Sequence, residues 1–251
     1  MRILLVTIGS LLVSLMCFWI VKFWGRSQVY PEYQHAMYLI SPGTVEFAKP
    51  SFQNLENDLK NQEFLFLEVV ITMDQKLVML RRRWTKDDKS VRYSLYDDIK
   101  KDLLNLQDYK DILKNKKIIF SLVENSQAAH ENFFYNMQQL GLEKGENFIV
   151  TSPYEAPIKA LKELAPSFVY ATTQPEILKI VAMGSMHLFE AANIRADIIL
   201  HPLKIRNQIF YTEDLLTELA RRHKRIIVGP ITAAEKDEAV KLNPYGLVIE
   251  D

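Results

Sequence analysis

The side chains of this 251-residue chain that could do chemistry stand at the ends of short apolar runs. Glu68 and Thr72 close the run 64–72, Arg81 follows 76–80, Ser152 ends 147–152, and His201 follows 197–200 just before Pro202. Ser41, Glu124 with Asn125, Thr172 and Ile231 occupy equivalent places. Imidazole titrates near neutral pH, so His201 is a candidate general acid or base, and Glu68 is the carboxylate to set beside it. Guanidinium forks fit phosphate and carboxylate oxygens, which makes Arg81, first of the triplet Arg81-Arg82-Arg83, a candidate anion clamp. The candidate ligand-binding set is therefore Ser41, Glu68, Arg81, Ser152 and His201, with Glu68 and His201 as the catalytic candidates and Glu68 as a lone candidate metal ligand. A structural role competes at each. Glu68 could be a buried acid paired with Arg81, His201 could pack in a core, and the arginines could project toward Asp87 and Asp88.

Strand ends become a site only if the strands share a sheet. Strand patterns fall at 37–41, 64–72, 76–80, 117–123, 147–152, 168–171, 197–200, 225–228 and 246–249. Helical patterns fall between them at 52–60, 95–106, 128–140, 155–164, 175–183, 212–222 and 233–242, and Thr212-Glu-Asp-Leu reads as a helix start. Strand–helix alternation implies a parallel sheet covered by helices. Runs such as Ile118-Ile-Phe-Ser-Leu-Val123 suit strands buried on both faces. Eight barrel positions and one hairpin strand give an α/β fold of the (β/α)8 type, with an open doubly wound sheet as the alternative. In a barrel, chemistry gathers where strands end.

Composition removes several classes. With 31 basic and 31 acidic residues the chain carries no net charge, and no nucleic-acid footprint is visible. The single cysteine, Cys17, lies in the N-terminal apolar stretch, so the globular part has no disulfide or cysteine metal site. Among 8 glycines none forms a dinucleotide or P-loop pattern, and no nucleophile elbow is present. The basic runs at Lys100-Lys101 and Lys114–Lys117 read as solvated faces, with anionic lipid as a second possible contact.

Residues 3–21 carry no charge, which suits a membrane-spanning helix, with Arg2 before it and Lys22 and Arg26 after it. Trp19 and Trp24 are placed as interfacial anchors. The expectation is a membrane segment over residues 1–26, a linker over 27–36, and a globular domain over 37–251 on the extracytoplasmic side. The alternative is a cleaved signal sequence.

Four stretches in chain order carry a family resemblance. They are Lys49-Pro-Ser-Phe-Gln-Asn-Leu, then Phe64-Leu-Phe-Leu-Glu68-Val-Val-Ile-Thr72-Met-Asp74 through Arg81, then Phe148-Ile-Val-Thr-Ser152-Pro-Tyr-Glu, and the ending Tyr245-Gly-Leu-Val-Ile-Glu-Asp251. Together they resemble the glycerophosphodiester phosphodiesterase family of TIM barrels. The resemblance implies acid–base chemistry by two histidines on a phosphodiester, assisted by carboxylate-bound Ca²⁺ or Mg²⁺. The catalytic positions depart from that pattern. Ser41-Pro42-Gly43 stands where the family has His-Arg-Gly, Phe66 and Glu68 where it has Glu and Asp, and Arg81 where it has a second histidine. Glu124 lies one residue out of phase with a later ligand position at Val123, and so on the opposite strand face. Phenylalanine cannot hold a metal, and arginine does not exchange protons near neutrality. These departures, taken with the apolar N-terminal segment, imply a membrane-anchored, non-catalytic barrel without a resident cofactor. It would bind an anionic or phosphate-bearing ligand, a lipid headgroup or a protein partner at the strand ends. An active phosphodiesterase with a rebuilt site, using Ca²⁺ or Mg²⁺, and a structural module of an envelope assembly are the alternatives.

Overall fold

A computed structural model of the chain describes residues 2–28, 30, 45–50, 55–80, 91–126, 128–205 and 208–250. Helix α1 (Arg2–Ser27) comes first. Over Thr7–Ser27 it is long and apolar enough to cross a membrane, and it is almost wholly exposed. Then follow β1 (Val45–Lys49), α2 (Leu55–Asn61), β2 (Phe64–Ile71), β3 (Leu77–Leu80), α3 (Tyr96–Ile99), β4 (Leu103–Asn105), α4 (Lys110–Leu113), β5 (Lys117–Leu122) and α5 (Ala129–Leu140). The second half runs β6 (Phe148–Thr151), α6 (Glu155–Leu164), β7 (Val169–Tyr170), α7 (Gln174–Ser185), β8 (Ile198–His201), β9 (Lys204–Ile205) and β10 (Gln208–Ile209). It ends with α8 (Glu213–Arg221), β11 (Arg225–Ile231), α9 (Lys236–Val240) and β12 (Gly246–Glu250).

Eight strands form one parallel sheet in the order β7-β6-β5-β2-β1-β12-β11-β8. The two ends of that order meet through a parallel bridge between Ala171 and Ile198. Backbone bonds from Thr172 to Ile198 (3.0 Å) and from Asp197 to Tyr170 (2.8 Å) extend the seam. Side chains complete what the two-residue β7 cannot. Thr172 Oγ1 donates to the Leu200 carbonyl at 3.1 Å and accepts from its N–H at 3.0 Å. Asp197 accepts from the Tyr170 N–H at 3.0 Å. The result is the expected (β/α)8 barrel, preceded by one apolar helix.

Alternation along the strands sorts the core into an inside and an outside. Inside the barrel are Phe47, Phe66, Ile119, Ile149, Ile227 and Val248. Outside β5 and β6, Phe120 and Phe148 pack edge-to-face with each other and with Phe133 of α5 and Phe168. Outside β8 and β11, Ile199 and Val228 meet Leu215 and Leu219 of α8. That helix starts as expected, with Thr212 accepting from the Leu215 N–H. Gly229, at φ +152°, lies against Val248 with no room for a Cβ, and β11 breaks register beside it.

Three expectations are corrected. The first barrel strand is β1 at Val45–Lys49, which pairs with β12 along its length. The strand expected at 37–41 lies outside the described residues. Ser41-Pro42-Gly43 lies outside them as well. The helix expected over 95–106 is broken, because Leu103–Asn105 pairs with β3 as an edge strand. The hydrophobic face of Val78 and Leu103, joined by Val70 and Val91, is what draws that segment into the sheet. The helix expected over 233–242 opens as a 3-10 turn at Ala233–Glu235 and continues as α9.

Candidate functional site

The mouth of the barrel is framed by the loop that follows β2. Thr72 Oγ1 donates to Asp74 at 2.7 Å and accepts from the Lys76 N–H at 3.1 Å. Asp74 also accepts from the Tyr96 N–H at 2.9 Å, and Lys76 lies 3.1 Å away. Gln75 takes a left-handed φ of 64° to close the turn. Partial burial works against ionisation of Asp74, but the bonds from Thr72, Tyr96 and Lys76 outweigh it and hold the carboxyl at about 2. Thr72-x-Asp74 is thus a turn lock that pins the segment 91–99 beside the mouth.

Inside that frame three adjacent strands deliver three charges. Lys49 continues the inward phase of Val45 and Phe47, Glu250 that of Val248, and Glu68 that of Phe66. The Lys49 ammonium is 2.9 Å from Glu250 Oε1 and 3.5 Å from Glu68 Oε1. Its side chain is only 12% exposed, whereas the two acids are about one-third open to solvent. Ser121 stands level with Glu68 on β5, and Thr151 level with Ser121 on β6. Phe66 fills the interior one step below Glu68 and is 5% exposed.

Of the five candidate residues, Glu68 faces the mouth. Ser152 and His201 do not, because each lies one residue out of phase with the inward set. Ser152 Oγ donates to the Leu122 carbonyl at 2.7 Å and accepts from the Tyr154 N–H, tying β6 to β5. His201 follows the inward Leu200 and turns outward, its ring 4.6 Å from that of Phe210. Its Nδ1 lies 2.8 Å from the Pro202 carbonyl, and burial pushes its pKa below the ordinary value. Ser41 and Arg81 lie outside the described residues, as do Arg82 and Arg83. The expected pairing of Glu68 with a basic residue is met in kind by Lys49. Glu124 points away from the interior, accepting from the Ile71 N–H at 3.1 Å and from Ser126 Oγ.

Lys49 and Glu250 are the site residues that sequence reasoning missed. The signal was present in Val45-Glu-Phe-Ala-Lys49, whose alternation puts the lysine in phase with two apolar side chains. As for a cation, no group of three or more His, Cys, Asp or Glu side chains converges among the described residues. The two mouth carboxylates are already spanned by an ammonium.

No protein-family model matches the chain, and no curated protein matches it by sequence. Its fold does match solved structures. One is an Oleispira antarctica phosphodiesterase in complex with its product sn-glycerol-3-phosphate (TM-score 0.61, 9% identity, covering 86% of this chain and 95% of that one). A second is the glycerophosphoryl diester phosphodiesterase domain of a Mycobacterium tuberculosis protein (TM-score 0.60, 10% identity, 88% and 96% covered). A third is the glycerophosphodiester phosphodiesterase of Agrobacterium tumefaciens (TM-score 0.58, 14% identity, 82% and 96% covered). The barrel is thus the glycerophosphodiester phosphodiesterase fold, at identities that speak for the fold alone.

Proposed function

We propose that this chain is a membrane-anchored, non-catalytic barrel that binds a phosphate-bearing anion at the strand-end mouth. The observation that carries the reading is the Lys49 ammonium held between Glu68 and Glu250. A hard divalent cation needs several oxygen ligands, and here the same oxygens are neutralised by a tethered cation. Phe66 fills the inward position below, and the described histidines lie on the outer face of β8, on α5, or at helix ends. Among the described residues, the mouth brings together no group of three or more metal-ligating side chains and no pair of histidines. What it keeps is the Lys49 ammonium, shared between two carboxylates, and two hydroxyls on the following strands, Ser121 level with Glu68 and Thr151 level with Ser121. One ammonium against two carboxylates leaves the trio net negative, so this reading requires Arg81, directly after β3 in the chain, as the cation that draws the phosphate.

Calorimetric titration of the full chain in detergent with glycerol 3-phosphate tests the proposal. Binding is expected in the presence of a chelator, to weaken by about ten-fold or more in Lys49→Met, in line with loss of one charge-assisted contact, and to recover in Lys49→Arg. Absence of binding in chelator would overturn it. So would hydrolysis of a glycerophosphodiester with Ca²⁺ or Mg²⁺ that disappears in Glu68→Gln.

A further inference from the structure

Helix α1 leaves its apolar length exposed and buries its end. Gly25 is enclosed against the 3-10 turn Phe189–Ala191, where a Cβ would overlap the Glu190 carbonyl. Arg26 Nε donates to Glu190 at 2.9 Å. The guanidinium of Arg221, at the end of α8, donates to the carbonyls of Gly25 (3.0 Å), Arg26 (3.2 Å) and Gln28 (2.8 Å). These are acceptors that a helix end leaves without partners, and one side chain from the barrel satisfies them. Arg222, 2% exposed, holds the carbonyls of Phe189, Glu190 and Ala192 in place. Glu218 accepts from both arginines, and the Tyr30 ring lies 5.4 Å and 5.2 Å from their guanidinium carbons.

The chain direction says where this joint lies. Helices α7 and α8 run against the strands, so their last turns sit at the strand N-terminal base. Arg221 ends α8 just before β11 begins at Arg225. The Lys49 trio is at the opposite end of the barrel. The membrane-side residues Trp19, Lys22 and Trp24 suit an interfacial belt, and Trp24 is followed at once by Gly25. No slack chain separates the apolar helix from the joint. A crevice of about 340 Å³ at this seam is lined by Lys22, Arg26 and His187.

We infer that this joint stands the barrel on the bilayer by its strand N-terminal base, so that the mouth opens to water and takes a water-soluble anion, not a headgroup of its own membrane. The base is the lipid-facing surface. The ligand class and the membrane anchoring rest on the function proposed above, and the choice of base over mouth rests on the joint alone.

The full chain, with Cys17→Ser, is reconstituted in phosphatidylcholine nanodiscs containing a lipid with a headgroup-linked quencher. One fluorophore is placed at Met186→Cys, exposed at the end of α7, and in a separate sample at Met73→Cys, exposed after β2. Met186 is expected to be quenched severalfold more than Met73. A short Gly-Ser insertion between Trp24 and Gly25, which leaves the barrel's own packing intact, is expected to abolish the difference, and Arg221→Ala to reduce it. Equal quenching in the native chain, stronger quenching at Met73, or a difference that survives the insertion would overturn the orientation. Asymmetric quenching in a chain that binds no glycerol 3-phosphate would remove the ligand class and leave the orientation standing.

Discussion

At the scale of single residues, the mouth shows how one position of phase decides a role. Glu68 and His201 looked alike as polar residues ending apolar runs, yet one faces the interior and the other packs on Phe210. Asp74 offers the cleanest test of a local interaction. Its carboxyl lies at about 2 in the folded chain against an ordinary 3.8, so its contribution to stability is full above 3.8 and is lost as pH falls toward 2. Asp74→Asn is expected to cost about 1 kcal/mol at neutral pH, the worth of exchanging a charged acceptor for a neutral one in this turn. The deficit should shrink through the same acid window. Urea unfolding of both forms across that window checks it, and a deficit independent of pH would show that ionisation is not what Asp74 contributes.

Elements carry the next level of argument. The spans of α5, α6, α7 and α8 and seven of the eight barrel strands were legible in the periodicity of the sequence. The segment 95–106 was not, because its helical spacing gives way to edge pairing with β3. At the end of α8, Glu218 pairs with Arg222, both side chains under one-tenth exposed, and Arg222 carries the link to the carbonyls of Phe189, Glu190 and Ala192. Burial works against ionisation of Glu218, and the guanidinium groups of Arg221 and Arg222 outweigh it, keeping its pKa below the ordinary value. Glu218→Gln would leave Arg222 buried beside three carbonyls without its counter-charge. On the order of 3 kcal/mol should be lost, read from the denaturation midpoint of the full chain in detergent. A loss below about 1 kcal/mol would place the pair among solvated surface bridges.

For the molecule as a whole, the barrel is not equally strong around its circumference. Strands β2 and β5 share six register pairs, whereas β7 meets β6 in two pairs and β8 in one bridge. Local opening is cheapest where few contacts must be broken. Amide exchange should therefore release Ala171 and Thr172 well before Ile119 and Phe120. Equal protection would mean that the Thr172 and Asp197 side chains restore a full ladder at the seam.

The sequence by itself determined the strand–helix alternation, and with it the barrel, because buried parallel strands and amphipathic helices are written in short-range periodicity. It also determined the apolar N-terminal helix, which depends on composition alone. What only the tertiary structure decided is the site and the joint. Strand phase must be counted from the right starting residue, and β1 began at Val45, where no strand was expected. The partners that give Lys49 and Arg221 their roles are 201 and up to 196 residues distant in the chain. Periodicity reports on neighbours a few residues apart, so contacts of that range became visible only when the barrel closed.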